Sequence, residues 1–188
     1  MEVIEEAIIL AGGLGTRIRN VIKDVPKPMA EINGKPFLEY LLKYIVNQGI
    51  LKIVLSVGYK FEVIKEYFGS SFMGVELLYS VESEPLGTGG ALKQAMKFVN
   101  DGNVFILNGD TIFKIDLRKF EEFHFNKESN LSVALKKIEM TNRYGVVELE
   151  QDQSIKDFLE KSYVDEGLIN GGVYWLNTYF FNSFILPD

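Results

Sequence analysis

The chain has 188 residues, 47% of them hydrophobic and 13% aromatic, which is enough to bury the core of one domain. It contains no cysteine, which excludes disulfides, thiolate metal sites and cysteine nucleophiles. Its formal charge of −6 argues against nucleic acid or an anionic membrane surface as the main partner, so an anionic ligand has to be met by a local cluster of cations.

Ala7–Leu10 reads as a short buried strand. Asn33-Gly34 is a tight-turn signal, and Pro36 is placed as the first residue of a helix. Phe37, Leu38, Leu41, Leu42, Ile45 and Val46 mark one face of that helix, and Gly49 is its natural stop. A strand over Ile53–Val57, a helix over Glu62–Phe68 and a strand over Val75–Ser80 follow. The next helix, Gly89–Val99, turns Ala91, Leu92, Ala95, Met96 and Val99 inward. Val104–Leu107 is a fourth apolar strand, ending in Asn108-Gly109-Asp110, and Asp116 caps a helix reaching about Asn126. This alternation predicts an α/β protein with a parallel or mixed sheet and helices on both faces. After Leu131 the texture changes to strands at Leu131–Ile138, Val146–Glu150 and Ile169–Leu176 with few helices between them. The expectation is one domain over 1–188, with a nucleotide-binding half to about residue 130 and a second half supplying the other wall of a cleft. No apolar run approaches the roughly 18–20 residues of a membrane span, and Met1 opens no charged-then-apolar leader; a cytoplasmic protein without a membrane partner is expected.

The first strand breaks into Gly12-Gly13-Leu14-Gly15-Thr16-Arg17, with Lys27 ten residues further on between Pro26 and Pro28. The loop lacks the third glycine of a dinucleotide fingerprint and the Gly-Lys-Ser/Thr ending of a P-loop. Glycines nonetheless let backbone N–H groups reach anionic oxygens. Arg17 offers a planar fork to a polyphosphate, and Lys27 a compact charge whose stem is limited by the flanking prolines.

These residues resemble the signature of the sugar-1-phosphate nucleotidyltransferases. Further motifs follow in family order: Glu82-Ser83-Glu84-Pro85-Leu86-Gly87-Thr88-Gly89-Gly90, Asn108-Gly109-Asp110, Tyr144-Gly145-Val146, Glu160-Lys161 and Asn170-Gly171-Gly172-Val173-Tyr174. The resemblance runs from Leu10 to Tyr174. It implies a Rossmann-like, mostly parallel mixed sheet and the joining of a nucleoside triphosphate to a sugar 1-phosphate with release of pyrophosphate. By the same resemblance Leu10, Ala11, Gly12, Gly13 and Gly15 cradle the nucleotide with Pro85, Gly87, Thr88, Asn108 and Gly109. Thr16 and Arg17 hold the β- and γ-phosphates, Lys27 bridges the α-phosphate and the incoming sugar phosphate, and Asp110 binds Mg²⁺. Glu160 takes sugar hydroxyls, Lys161 the sugar's phosphate, and Tyr144, Gly145, Asn170 and Gly171 belong to the sugar pocket.

The chemistry suits a chain whose only histidine is His124, read here as a surface or half-buried structural residue. A phosphate monoester is largely dianionic at neutral pH, so no protein base has to activate it. Catalysis is then positioning and charge neutralisation. An ionised carboxylate only accepts hydrogen bonds, and guanine presents two adjacent donor groups on its Watson–Crick edge. Glu82, rather than Glu84, therefore favours GTP, and the likeness within the family leans to a heptose 1-phosphate as acceptor. Mannose 1-phosphate, a uridylyl or cytidylyl transfer, and a non-catalytic nucleotide-sugar-binding subunit remain open alternatives. Relatives usually carry a second metal-binding Asp beyond the Asn-x-Gly-x-Tyr motif. This sequence stops at Pro187-Asp188, so a fragment, or a second ligand from elsewhere, is expected, with exposed apolar surface or a homodimer as a consequence.

Overall fold

A computed structural model describes residues 5–13, 25–100, 102–141, 144–160 and 164–184. Its strands are β1 (Glu6–Leu10), β2 (Glu31–Ile32), β3 (Lys35–Pro36), β4 (Lys52–Val57), β5 (Ser71–Phe72), β6 (Val75–Val81), β7 (Asn103–Asn108), β8 (Leu131–Thr141), β9 (Val146–Leu149), β10 (Ile155–Leu159) and β11 (Val164–Asn177). Its helices are α1 (Phe37–Val46), α2 (Phe61–Phe68), α3 (Gly87–Ala95), α4 (Leu117–Asn126) and α5 (Thr178–Asn182).

Seven strands form one sheet in the order β5-β6-β4-β1-β7-β11-β8. The four central strands β6, β4, β1 and β7 are parallel, whereas β5 and β11 run against their neighbours. The mixed sheet that the alternating pattern allows, mostly parallel as the resemblance implies, is therefore present. Its centre is apolar on both faces because helices cover both. Ala7 and Ile9 of β1, with Ile53 and Leu55 of β4, join the cluster formed by Leu38, Leu41, Leu42 and Ile45 of α1 and Ile64 of α2. Ile8, Val54 and Ile106 point the other way, against Leu92, Ala95 and Met96 at α3.

Local chemistry sets the boundaries. Asn33 and Gly34 both take positive φ, 49° and 77°, and close the β2–β3 hairpin. Pro36 ends β3 and precedes α1 instead of opening it, because its ψ of 141° is extended. Asp116 caps α4 through the Lys119 N–H at 3.1 Å. The buried Glu39 of α1 accepts from Lys35 at 2.8 Å, Lys43 at 2.6 Å and Tyr67 at 2.7 Å, which joins β3, α1 and α2. Those donors pull its carboxyl down to about 2.

The second half of the chain extends the same sheet. β11 inserts between β7 and β8, and only β9 and β10 leave it, as a separate antiparallel pair. Trp175 of β11 is fully buried, edge-on to Phe105 at 4.5 Å and stacked with His124 at 5.4 Å. His124 is therefore neither a surface nor a half-buried residue: it is 2% exposed, and Nδ1 lies 2.8 Å from the Ser132 hydroxyl. The misreading arose because its environment comes from β8 and β11, not from its own helix.

Burial lowers the pKa of His124 below its ordinary 6.5. The unfolded chain then takes up this proton more readily than the folded one, so the contribution of neutral His124 to stability is complete above the ordinary value and is lost as pH falls through the folded value. Tm should drop between about pH 7 and pH 5, and His124→Gln should remove part of that slope. Thermal melts across this range check it; an equal slope in the variant contradicts it.

Candidate active site

Ligands of open parallel sheets bind beyond the carboxyl ends of the strands. Here the ends of β1, β4 and β7 are tied together by backbone. The Ala11 N–H donates to the Ser56 carbonyl at 2.8 Å, and the Gly109 N–H donates to the Leu10 carbonyl, also at 2.8 Å. Gly109 has no room for a side chain, since a Cβ there would lie 2.8 Å from the Leu10 oxygen and 3.0 Å from the Ala11 Cβ. Gly13, two residues beyond Ala11, faces open space. The loop thus leaves β1 from a rigid base and presents Gly13 to solvent.

Lys27 opens a short 3₁₀ turn after Pro26, and Pro28 and Met29 of that turn are buried. Its ammonium group pairs with the carboxylate of Asp110, which follows Gly109 directly. Asp110 Oδ1 also accepts from the Thr111 hydroxyl at 3.1 Å. The two charged side chains remain 37% and 41% exposed, so the pair contributes less than about 1 kcal/mol and separates readily when stronger partners arrive. Its geometry places one fixed cation and one carboxylate at a single point: a phosphate can take Lys27 while a cation takes Asp110.

Among the described residues no cluster of three or more His, Asp or Glu side chains could cage a metal. One carboxylate still fits a hard divalent ion that keeps its waters and shares phosphate oxygens with a substrate, a mode typical of Mg²⁺ at nucleotide sites. Asp110 therefore suits a metal that arrives with a polyphosphate.

Glu82 follows β6 and lies over the loop. Its Oε1 occupies the place of a Cβ on Gly12, 2.3 Å from where that atom would be, and Oε2 accepts from the Leu86 N–H at 3.2 Å. Pro85 and Thr88 are exposed on the same segment, and Gly87 begins α3 at a φ of +68°.

On the opposite side, β11 breaks register against β8 between Asn170 and Tyr174. Asn170 donates from Nδ2 to the Tyr174 hydroxyl at 2.8 Å and accepts the Gly172 N–H at 2.8 Å. A Cβ on Gly172 would lie 2.7 Å from Asn108 Nδ2, and one on Gly171 only 2.1 Å from the Phe113 ring. Asn108 at the end of β7 thus abuts the bulge that carries Asn170 and Gly171. Tyr144, Gly145 and Glu160 form a separate group on the β9–β10 hairpin, where a Gly145 Cβ would lie 2.7 Å from the Leu159 carbonyl, one residue before the exposed Glu160. Gly15, Thr16, Arg17 and Lys161 lie outside the described residues. Sequence reasoning missed Ser56, Gly58 and Phe113. Gly58, directly after a strand, carried the same signal as Gly12, whereas nothing local marks Phe113.

Residues 6–186 match the family described as Nucleotidyl transferase. The chain belongs to that family. Nucleotidyl transferases of this kind generally use a divalent metal, in keeping with the single carboxylate at Asp110. Two relatives named D-glycero-alpha-D-manno-heptose 1-phosphate guanylyltransferase, from Campylobacter jejuni and Aneurinibacillus thermoaerophilus, are each 50% identical over 97% of this chain and 80% and 79% of their own length. The crystal structure of HddC from Yersinia pseudotuberculosis complexed with GMP-PN superposes with a TM-score of 0.87 at 35% identity, covering 97% of this chain and 81% of that one. Mannose-1-phosphate guanylyltransferases are more distant relatives.

The ends of β1 and β7 should tolerate Gly13→Ala and not Gly109→Ala. The second change forces backbone apart and should cost about 1–3 kcal/mol, against less than about 0.5 kcal/mol for the first. Urea unfolding of both variants measures this, and equal costs would contradict the packing described at Gly109.

Proposed function

We propose that this protein transfers GMP from GTP to D-glycero-D-manno-heptose 1-phosphate. The sugar phosphate's oxygen forms a bond to the α-phosphorus of GTP, the bond from that phosphorus to the bridging oxygen breaks, and pyrophosphate leaves with the electron pair. The observation that carries the reading is the meeting of Lys27 and Asp110 at the end of β7, beneath the Gly12-Gly13 loop. The two heptose 1-phosphate guanylyltransferases support the choice of base and sugar, and HddC with its GMP-PN supports the base.

Each role follows from charge. The attacking oxygen is already ionised, so the barrier is the approach of one anion to another. Lys27 leaves Asp110 and lies between the α-phosphate and the sugar phosphate, lowering their repulsion. Asp110, freed of its partner, would hold a divalent ion such as Mg²⁺, which would supply charge neutralisation on the triphosphate. Backbone N–H groups from Gly13 onward meet phosphate oxygens, and Thr16 and Arg17 take the β- and γ-phosphates. The Glu82 carboxylate would repel a phosphate, which argues for the base end of the nucleotide beside it. Its lone pairs not engaged by Ser56 and Leu86 suit guanine N1–H and N2–H₂. Tyr144, Gly145, Glu160, Lys161, Asn170 and Gly171 receive the sugar phosphate. We place the reaction in the cytoplasm.

Pyrophosphate release from GTP, UTP, CTP and dTTP with a panel of sugar 1-phosphates tests this directly. GTP with the heptose phosphate should give the highest kcat/KM; equal rates with every triphosphate would remove the role of Glu82. Lys27→Ala should fold and bind GTP yet lose at least about 100-fold in kcat. Near wild-type turnover in that variant refutes the assignment.

A further inference from the structure

Glu82 is held by more contacts than recognition of a base requires. Its own N–H donates to the Val57 carbonyl at 2.8 Å, which fixes its α-carbon between the ends of β4 and β6. Oε1 accepts from the Ser56 hydroxyl at 3.4 Å while filling the space over Gly12, and Oε2 takes the Leu86 N–H. Gly58 is drawn into the same cluster, since its Cβ would lie 3.3 Å from the Gly12 carbonyl oxygen and 3.8 Å from the Glu82 Cβ. Leu86 rests in turn on α3, where a Cβ at Gly90 would lie 2.8 Å from the Leu86 Cβ. Gly12, Glu82, Leu86 and Gly90 are therefore a continuous line of contact from the phosphate loop to the α3 helix, passing through one carboxylate.

We propose that Glu82 is a positioning residue for the phosphate loop: its carboxylate props Gly12 against the Pro85–Gly87 segment and so sets the width of the nucleotide slot before a ligand arrives. The proposal rests on the nucleotide reading of the glycine loop given above. Gly12 and Gly13 lack the side chains that would restrict their backbone, and an adaptable segment loses binding energy when a ligand orders it. A side chain already anchored at its backbone and at both oxygens removes part of this cost. Length and an acceptor oxygen are what the prop requires; the negative charge is tolerated because it lies at the base end.

The probe that separates propping from base reading is inorganic tripolyphosphate with Mg²⁺, which has no base. Glu82→Gln keeps the length and an oxygen for Leu86, whereas Glu82→Ala keeps neither. Both remove the charge, so relief of repulsion cancels between them. Calorimetry on the full chain should show Glu82→Ala binding tripolyphosphate about fivefold more weakly than Glu82→Gln, with Tm of the two within about 2 °C. Should Glu82→Ala fail to fold, Glu82→Asp, which keeps the charge and shortens the prop, should bind about fivefold more weakly than the unmodified protein. Equal affinities of Gln and Ala, or of Asp and the unmodified protein, overturn the proposal and leave Glu82 a base reader alone. No tripolyphosphate binding by the unmodified protein overturns it together with the phosphate role of the loop. Pyrophosphate release from GTP distinguishes the failures: its persistence with equal Gln and Ala affinities removes only the prop, and its absence with every triphosphate removes the guanylyltransferase reading.

Discussion

Two backbone hydrogen bonds, Ala11 to Ser56 and Gly109 to Leu10, decide where everything else in this protein can act. They join the carboxyl ends of three parallel strands so closely that residue 109 admits no Cβ. From that junction one strand releases a glycine loop and another releases Asp110, so an anion-seeking backbone and a cation-seeking carboxylate emerge side by side. The third participant, Lys27, comes from a short turn whose neighbours Pro28 and Met29 are sunk into the core. The rest of the sheet supplies stiffness: central strands apolar on both faces and helices that close them off. Charges carried on so stiff a base need little reorganisation beyond the exchange of the Lys27–Asp110 ion pair, and low reorganisation is where electrostatic catalysis gains most of its effect.

The ion pair between Lys27 and Asp110 describes the resting state of such a site. On the proposed function, each partner stands in for the ligand of the other, the carboxylate for a phosphate and the ammonium group for a metal ion. Because both side chains are partly exposed, the pairing is weak and costs little to exchange for stronger partners. A polyphosphate that brings its own cation satisfies both groups at once, whereas either ligand alone leaves one of them unpaired. Binding of the two is thus expected to be mutually reinforcing. The second wall is organised differently, through the register break in β11, where Asn170 is held at both ends of its amide by Tyr174 and the Gly172 N–H.

Much of this was legible in the residues because the signals are local. A strand that ends in glycines, an Asp after Asn-Gly at a strand end, a lysine between prolines and an Asp cap before α4 are each written within a few positions. The order of the motifs gave the family. Contacts that join distant segments were not legible. Phe113 covers Gly171 from 58 positions away in the numbering, and Glu82 reaches Gly12 across the ends of β4 and β6. His124 looked peripheral on its own helix because its burial comes from Trp175 and Ser132. β10 escaped notice because all five of its residues, Ile155–Leu159, are exposed, so its sequence carries no buried-face alternation.

The central claim is that two anions react directly in a field of fixed cations and amides, with no protein nucleophile between them. The stereochemistry at the α-phosphorus tests it most directly. One diastereomer of GTP carrying sulfur on the α-phosphate, turned over with the sugar phosphate, should give a nucleotide sugar of inverted configuration, as a single in-line displacement requires. Retention would mean two displacements through a covalent nucleotidyl–protein intermediate and would contradict the account.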